Sequence, residues 1–123
     1  MRFAIAAFAT GLLLSACVQS DAAMRSKPPA RQFTSHKTAD ALVACLVPSI
    51  SASYRGAYGR QDLFVANIRA PGQEYDIVTP NAAAGGQYVF TVNVRGSVVS
   101  IYEIMPIANY MRDGLVRGIE ACL

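Results

Sequence analysis

Histidine is nearly absent from this chain: the single one, His36, lies ahead of the part whose pattern predicts a folded domain. No histidine follows from Thr38 onward, so Ser-His and Cys-His nucleophilic pairs and His-built metal sites are excluded there. A Cys-x-x-Cys pair and a Gly-rich phosphate loop are also missing. Glu74 and Asp76 would share a strand face, which we interpret as a solvated pair beside a turn. We therefore expect no catalytic residues, no cofactor and no metal.

An apolar run long enough to cross a membrane is also missing. The N-terminal run, Phe3 to Leu14, is interrupted by Thr10 and Gly11 and is followed at once by polar residues. A transmembrane helix needs about 20 apolar residues. The positively charged start, Met1-Arg2, is instead typical of a secretory signal peptide that is removed.

The apolar run ends in Leu14, Ser15, Ala16 and Cys17. These residues resemble the lipobox of bacterial lipoprotein precursors, which is Leu, a small residue, Gly/Ala/Ser, and Cys. The resemblance implies that residues 1–16 are a signal peptide. It also implies that Cys17 becomes the mature N-terminus, carries diacylglyceryl and acyl chains such as palmitate, and anchors the protein in a lipid bilayer. The alternative is an ordinary secretory signal cut after Ala23, with Cys17 discarded.

The residues after Cys17 indicate which membrane of the cell envelope the protein would be anchored in. In that family an Asp directly after the lipidated Cys favours retention in the inner membrane, whereas Val18 and Gln19 stand here. The resemblance therefore implies a periplasm-facing lipoprotein of the outer membrane, with the inner membrane less favoured.

Positive charge is concentrated ahead of the predicted domain. Residues 18–37 carry four basic side chains against one acidic, whereas from residue 38 onward six arginines face seven acidic side chains. A nucleic-acid-binding domain needs a basic surface of its own, so nucleic acid is excluded as a partner. With Pro28-Pro29 and no apolar period, residues 17–37 are predicted to be a lipidated, flexible, basic tether to a small domain, residues 38–123.

Two cysteines remain once Cys17 is acylated, Cys45 and Cys122, and the compartment implied by the lipobox is oxidising. We predict that they form a disulfide. A loop of that length corresponds to about 4.5 kcal/mol in the chain-entropy model. The alternatives are two buried free thiols, or reactive chemistry for which the sequence offers no further ligands.

Helical spacing predicts a first helix after the N-cap Thr38, with an inward face that includes Cys45. Pro48 predicts that this helix either ends near Val47 or kinks and continues, and it should be over by Ser53.

A second helix is predicted to begin at Pro106 and to turn one apolar face inward: Ile107, Met111, Leu115, Ile119 and Cys122. Gly114 and Gly118 predict close packing against the sheet or against the first helix.

Between the helices the apolar period changes to two. The predicted strands are Asp62 to Arg69, Glu74 to Thr79, Gln87 to Arg95 and Val98 to Met105, with a loop from Pro80 to Gly86. The register of the last hairpin stays open, because the turn can have two or three residues, which decides whether Val99 and Ile101 or Val98, Tyr102 and Ile104 face the core. The fold class is α+β: a four-stranded antiparallel meander between two helices. Both helices would cover one sheet face in a two-layer sandwich, and the other face would be solvated.

A possible partner-binding loop follows the first helix: Tyr54, Arg55, Tyr58 and Arg60. Tyr and Arg are enriched in binding hot spots, and the intervening glycines allow the loop to adapt. The alternative is simple loop packing, with one tyrosine in the core and the arginines solvated.

The sequence thus predicts a noncatalytic, membrane-anchored lipoprotein of the cell envelope that binds another envelope protein. A structural or peptidoglycan-associated lipoprotein is the alternative, and an unrecognised enzyme is third.

Overall fold

The computed structural model describes residues 24–80, 89–104 and 106–123. These ranges hold two helices and five strands: β1 (Arg31–Thr34), α1 (Ala39–Ser53), β2 (Val65–Ala70), β3 (Glu74–Val78), β4 (Phe90–Arg95), β5 (Val98–Glu103) and α2 (Asn109–Glu120). The strands form one antiparallel sheet in the order β1-β5-β4-β3-β2. The α+β class is as predicted.

The strand count is a correction, since the sheet has five strands rather than four. The additional strand is β1, which pairs with β5 from Arg31 opposite Ile101 to Thr34 opposite Val98. A four-residue strand is too short to show an apolar period of its own, and the edge of β5 supplies its hydrogen-bond partners. Because β1 lies within the stretch predicted as a flexible tether, the folded domain begins upstream of residue 38.

Helix α1 begins as expected and continues past its proline. The Thr38 hydroxyl accepts a hydrogen bond from the Ala41 N–H at 3.2 Å, which caps the helix. Pro48 lies inside the helix, which ends at Ser53. The Ser51 hydroxyl donates to the Val47 carbonyl at 2.7 Å and accepts from the Phe64 N–H at 3.0 Å. Ser51 therefore joins the last turns of α1 to the chain that enters β2.

Helix α2 begins at Asn109, three residues later than predicted. The first helical hydrogen bonds go to the Ala108 carbonyl from Met111 and Arg112, both at 3.0 Å, so Pro106 lies outside the helix. The predicted inward face is nevertheless correct, because Ile107, Leu115, Ile119 and Cys122 are all buried.

The two helices touch through their backbones. A Cβ atom built on Gly114 would lie 2.7 Å from the Ser53 carbonyl oxygen, and one on Gly118 would lie 3.0 Å from the Ile50 Cα. Because the helices are so close, the Ser49 hydroxyl can donate a hydrogen bond to the Gly118 carbonyl at 2.7 Å. The partner of the two glycines is therefore the first helix.

Cys45 and Cys122 are joined in a disulfide, the pairing expected from the sequence. It links α1 to the residue that follows the last turn of α2. The Lys37 ammonium donates to the Cys122 carbonyl at 2.7 Å, so the segment before α1 is held to the same place.

The β4–β5 hairpin has a two-residue turn, Gly96-Ser97, with Arg95 opposite Val98. Gly96 has φ +57°, the left-handed conformation that such turns require. This register turns Val99 and Ile101 toward the helices together with Val92 and Val94, and all four are fully buried. The alternative that the sequence left open is thereby resolved.

The opposite side of the sheet, which we call the second sheet face, carries Asp76, Thr91, Asn93, Ser100 and Tyr102. The prediction that this face is solvated is wrong, since the first four of these side chains are buried. Part of the cover comes from the chain itself, because Arg25 contacts Asp76 and Tyr102.

Some expectations fall outside the described ranges, among them most of the predicted loop from Pro80 to Gly86 and the predicted strand start at Gln87. Strand β2 begins at Val65 rather than Asp62. Among the helices described, none has the length and apolar character needed to cross a membrane.

Reduction of the disulfide tests its role. We expect a loss of about 4.5 kcal/mol in the free energy of unfolding, because the bridge joins residues with a sequence separation of 77. Urea unfolding curves with and without reductant measure it. The double variant Cys45→Ala, Cys122→Ala should unfold at the same urea concentration in both conditions, and equal midpoints for the reduced and oxidised native protein would refute a stabilising bridge.

Gly114→Ala tests the helix contact. Alanine raises helix propensity by about 1 kcal/mol, but its Cβ would overlap the Ser53 carbonyl, so we expect a net loss of about 1–2 kcal/mol. Thermal unfolding measures it. Asp113→Ala, an exposed position on the same helix, is the control and should change stability by less than about 0.5 kcal/mol. A more stable Gly114→Ala variant would contradict the contact.

Candidate functional site

The expected lipidation residue, Cys17, and the whole lipobox lie outside the described ranges. The candidate residues within the described ranges lie in the loop after α1 and on the second sheet face.

Tyr54, the first residue of the predicted binding loop, belongs to the core. It is 4% exposed, and its ring lies 5.4 Å from that of Phe64 and 5.3 Å from that of Phe90. Burial, with a smaller contribution from the charge of Asp62, raises the pKa of Tyr54 to about 12. The structure thus removes Tyr54 from the candidate binding surface, in agreement with the packing alternative.

Tyr58 has the opposite environment: its side chain is 99% exposed. Its backbone is left-handed, with φ 60° and ψ 23°, at the centre of a single 3-10 turn, Ala57–Gly59. This conformation costs a non-glycine residue about 1–3 kcal/mol and persists only where the surroundings impose it. The loop therefore holds a large aromatic ring away from the protein in a strained backbone.

The loop around Tyr58 is closed by its own hydrogen bonds. The Gly56 N–H donates to the Arg60 carbonyl at 2.8 Å, and the Gly59 N–H donates to the Gly56 carbonyl at 3.1 Å. Gly56 is buried against Asp62, whose carboxylate oxygen would lie 2.9 Å from an added Cβ. The ring is thus displayed on a compact turn.

The two arginines of the loop have different roles. Arg55 donates from Nη1 to the carbonyls of Ala52 and Tyr54, at 2.8 and 2.9 Å, and so satisfies carbonyl groups at the end of α1. Arg60 contributes its carbonyl to the turn and has an exposed side chain. Of the four predicted loop residues, the structure leaves Tyr58 and Arg60 as the best placed to meet a partner.

The second sheet face holds a polar row that the sequence analysis missed. The register places Gln32, Ser100, Asn93, Asp76 and Asn67 side by side, one from each of the five strands. Gln32 donates to the Ser100 hydroxyl at 3.1 Å, and Asn93 donates to Asp76 at 2.9 Å. Alternation of polar residues in the strands was visible in the sequence, but without register it could not show that they line up.

Asp76 is the charged centre of this row. Its Oδ2 lies 2.5 Å from Nη2 of Arg25 and 3.0 Å from Nη1 of Arg69. Glu74 lies beside it and contacts Arg69 and Arg95 at 3.6 and 3.2 Å. The interpretation of the two carboxylates as a solvated pair is therefore wrong for Asp76, which is buried and paired with cations.

Two further groups complete the second sheet face. The guanidinium of Arg25 lies over the ring of Tyr102, 5.7 Å from its centroid. The Thr91 hydroxyl, opposite Tyr102 in the register, is buried and has no hydrogen-bond partner within the described ranges.

Other polar pairs on the helix side hold elements together. Arg112 of α2 makes a two-pronged contact with Glu103 of β5, with Nη2 and Oε2 3.0 Å apart. The Tyr75 hydroxyl donates to Asp40 and accepts from the Gly72 N–H at 3.0 Å. The hydrogen bond to Asp40 raises the pKa of Tyr75.

The described polar and aromatic groups differ in whether they are already occupied within the domain. In the part of the chain that the structure describes, no three metal-binding side chains converge. The polar groups on the two sheet faces mainly pair with one another, whereas Tyr58 presents an unpacked ring to solvent.

Comparison with known proteins found no matching protein-family model, no matching curated protein and no matching solved structure.

Proposed function

We propose that this protein is a noncatalytic lipoprotein of the bacterial cell envelope, acylated at Cys17, that binds another envelope protein through the turn carrying Tyr58. The proposal places it at the outer membrane, with its domain in the periplasm. The observation that carries the binding role is Tyr58, whose ring is exposed in a strained, closed turn.

Three features of the turn support protein binding. An exposed tyrosine offers a large contact area with few rotatable bonds. The hydrogen bonds within residues 56–60 and from Arg55 fix the turn before a partner arrives, which lowers the entropy cost of binding. The ring of Tyr58 is 99% exposed, so it contributes no packing to the fold and is available to a partner.

A peptidoglycan-associated role is the second candidate. An exposed tyrosine ring can also stack on a sugar, and Arg60 could pair with a carboxylate of the cell wall. The same turn would then bind a glycan strand or stem peptide, so one set of variants tests both candidates.

The lipid anchor is tested by Cys17→Ser. We expect the variant to lose labelling with a fatty acid such as palmitate and to leave the membrane fraction, because no other anchor is proposed. Metabolic labelling and fractionation measure this, with Ser20→Ala as the control that keeps both properties. Continued membrane attachment of Cys17→Ser would overturn the anchoring role.

The binding turn is tested by Tyr58→Ala and Tyr58→Gly, with Tyr110→Ala as the matched control. Tyr110 is a second exposed tyrosine, on α2 and 55% exposed. We expect both Tyr58 variants to lose binding, and Tyr58→Gly to be the more stable of the two because glycine relieves the left-handed backbone. Tyr110→Ala should bind normally.

The measurement is photo-crosslinking from position 58 in intact envelopes, compared with position 110. One protein adduct of constant mass, lost on addition of unmodified protein, supports the first candidate. Adducts on purified sacculi instead support the second. Crosslinks equal at the two positions would refute a specific role for the turn.

A further inference from the structure

The second sheet face binds a guanidinium group of its own chain. Arg25 places Nη2 2.5 Å from the Asp76 carboxylate, and its guanidinium lies over the ring of Tyr102. A carboxylate and an aromatic ring together satisfy both the charge and the flat face of a guanidinium. The arginine is mostly buried there, since its side chain is 17% exposed and that of Asp76 is 8% exposed.

The residue before Arg25 is held as well. Met24 is 1% exposed, although it lies within the stretch expected to be a free tether. Arg25 holds the start of the segment through Asp76 and Tyr102, and the Ala30 N–H donates to the Ile101 carbonyl at 2.8 Å, just ahead of β1. Residues 24–30 are thus fastened to the domain at both ends.

We propose that the second sheet face is a docking site for the N-terminal segment 24–27, held by Arg25 between Asp76 and Tyr102, and that this contact sets how far the domain can move from its lipid anchor. The second part rests on the proposed acylation of Cys17; the docking itself does not.

The number of residues between Cys17 and the docked segment determines how far the domain can stand from the bilayer. Seven residue steps separate Cys17 from Met24, which limits the reach to about 25 Å when the segment is docked. With the segment released as far as β1, fourteen steps would allow about 50 Å. The docked segment therefore halves the distance that the domain can stand away from the bilayer.

The planar shape of the guanidinium makes the site selective for arginine over lysine. The Asp76 carboxylate also accepts hydrogen bonds from Arg69 and Asn93, so it stays oriented if Arg25 leaves. An ammonium group in place of Arg25 would keep the ion pair but lose the planar contact with Tyr102. Arg25→Lys should therefore dock more weakly than Arg25, and Arg25→Ala should not dock.

The docking is tested by the oxidation rate of Met24 in full-length, processed protein purified in detergent. Hydrogen peroxide oxidises methionine at a rate that follows its exposure, and mass spectrometry reads each site. We expect Arg25→Ala to raise the Met24 rate at least about tenfold, with Arg25→Lys in between. Lys27→Ala, which removes an exposed lysine two residues away, should leave the rate unchanged.

Met111 in α2 is the internal control, because it is partly buried against the core and its oxidation rate should rise if the core loosens. If Arg25→Ala accelerates Met24 and Met111 together, the arginine stabilises the whole fold and the docking proposal is wrong. If Met24 in Arg25→Ala oxidises as slowly as in the native protein, Arg25 does not hold the segment.

The distance is tested in liposomes that contain acceptor-labelled lipid. A donor dye is attached to Ser97→Cys, at the exposed turn between β4 and β5. We expect energy transfer to fall in Arg25→Ala and to stay constant in Lys27→Ala. Equal transfer in all three proteins would overturn the distance role. A protein that never enters the liposomes would instead contradict the acylation proposal, while the oxidation result would still stand.

Discussion

The backbone contact between α1 and α2 is the constraint on which the rest of this domain depends. Gly114 and Gly118 bring α2 so close to α1 that no side chain fits between them. That approach lets Leu115 and Ile119 join the apolar cluster formed by α1 and the sheet. The Cys45–Cys122 disulfide closes the end of the same interface. Because few residues are available to build a core, one tight helix pair with a covalent bridge contributes much of the stability.

The polar row on the second sheet face also determines how the strands pair. Five polar residues share one register across five strands, and a slip by one residue would bring apolar side chains into that row and polar ones into the helical core. The buried carboxylate of Asp76 reinforces this register, because it needs cations and amides at fixed positions on its neighbours. The polar row thus favours one pairing of the strands, as the valines and isoleucines do on the helix side.

Local patterns predicted what depends on neighbours in sequence. The helix faces through Cys45 and Cys122, the N-cap at Thr38 and the hairpin between the last two strands follow from local sequence patterns, and each is in the structure. Apart from the disulfide, which followed from the count of cysteines, what depends on distant partners could not be predicted. Strand β1 is defined by the free edge of β5, and the burial of Asp76 is defined by Arg25, 51 positions earlier in the chain. In the loop, composition named four candidates, but only packing distinguishes the buried Tyr54 from the exposed Tyr58.

The segments that carry the two candidate surfaces lead into opposite edges of the sheet. The segment that docks through Arg25 leads into β1, one edge of the sheet, while the turn that carries Tyr58 leads into β2, the opposite edge. Neighbouring strands are about 4.8 Å apart, so the four steps between these edges correspond to about 19 Å. Arg25 itself contacts Asp76 of β3, so the docked segment extends from β1 across the second sheet face, and Tyr58 is 99% exposed with the segment in place. If Cys17 carries the lipid, docking of Arg25 shortens the tether without covering Tyr58. Anchoring and recognition can then act independently, since a change in reach leaves the turn intact and a change in the turn leaves the docked segment in place.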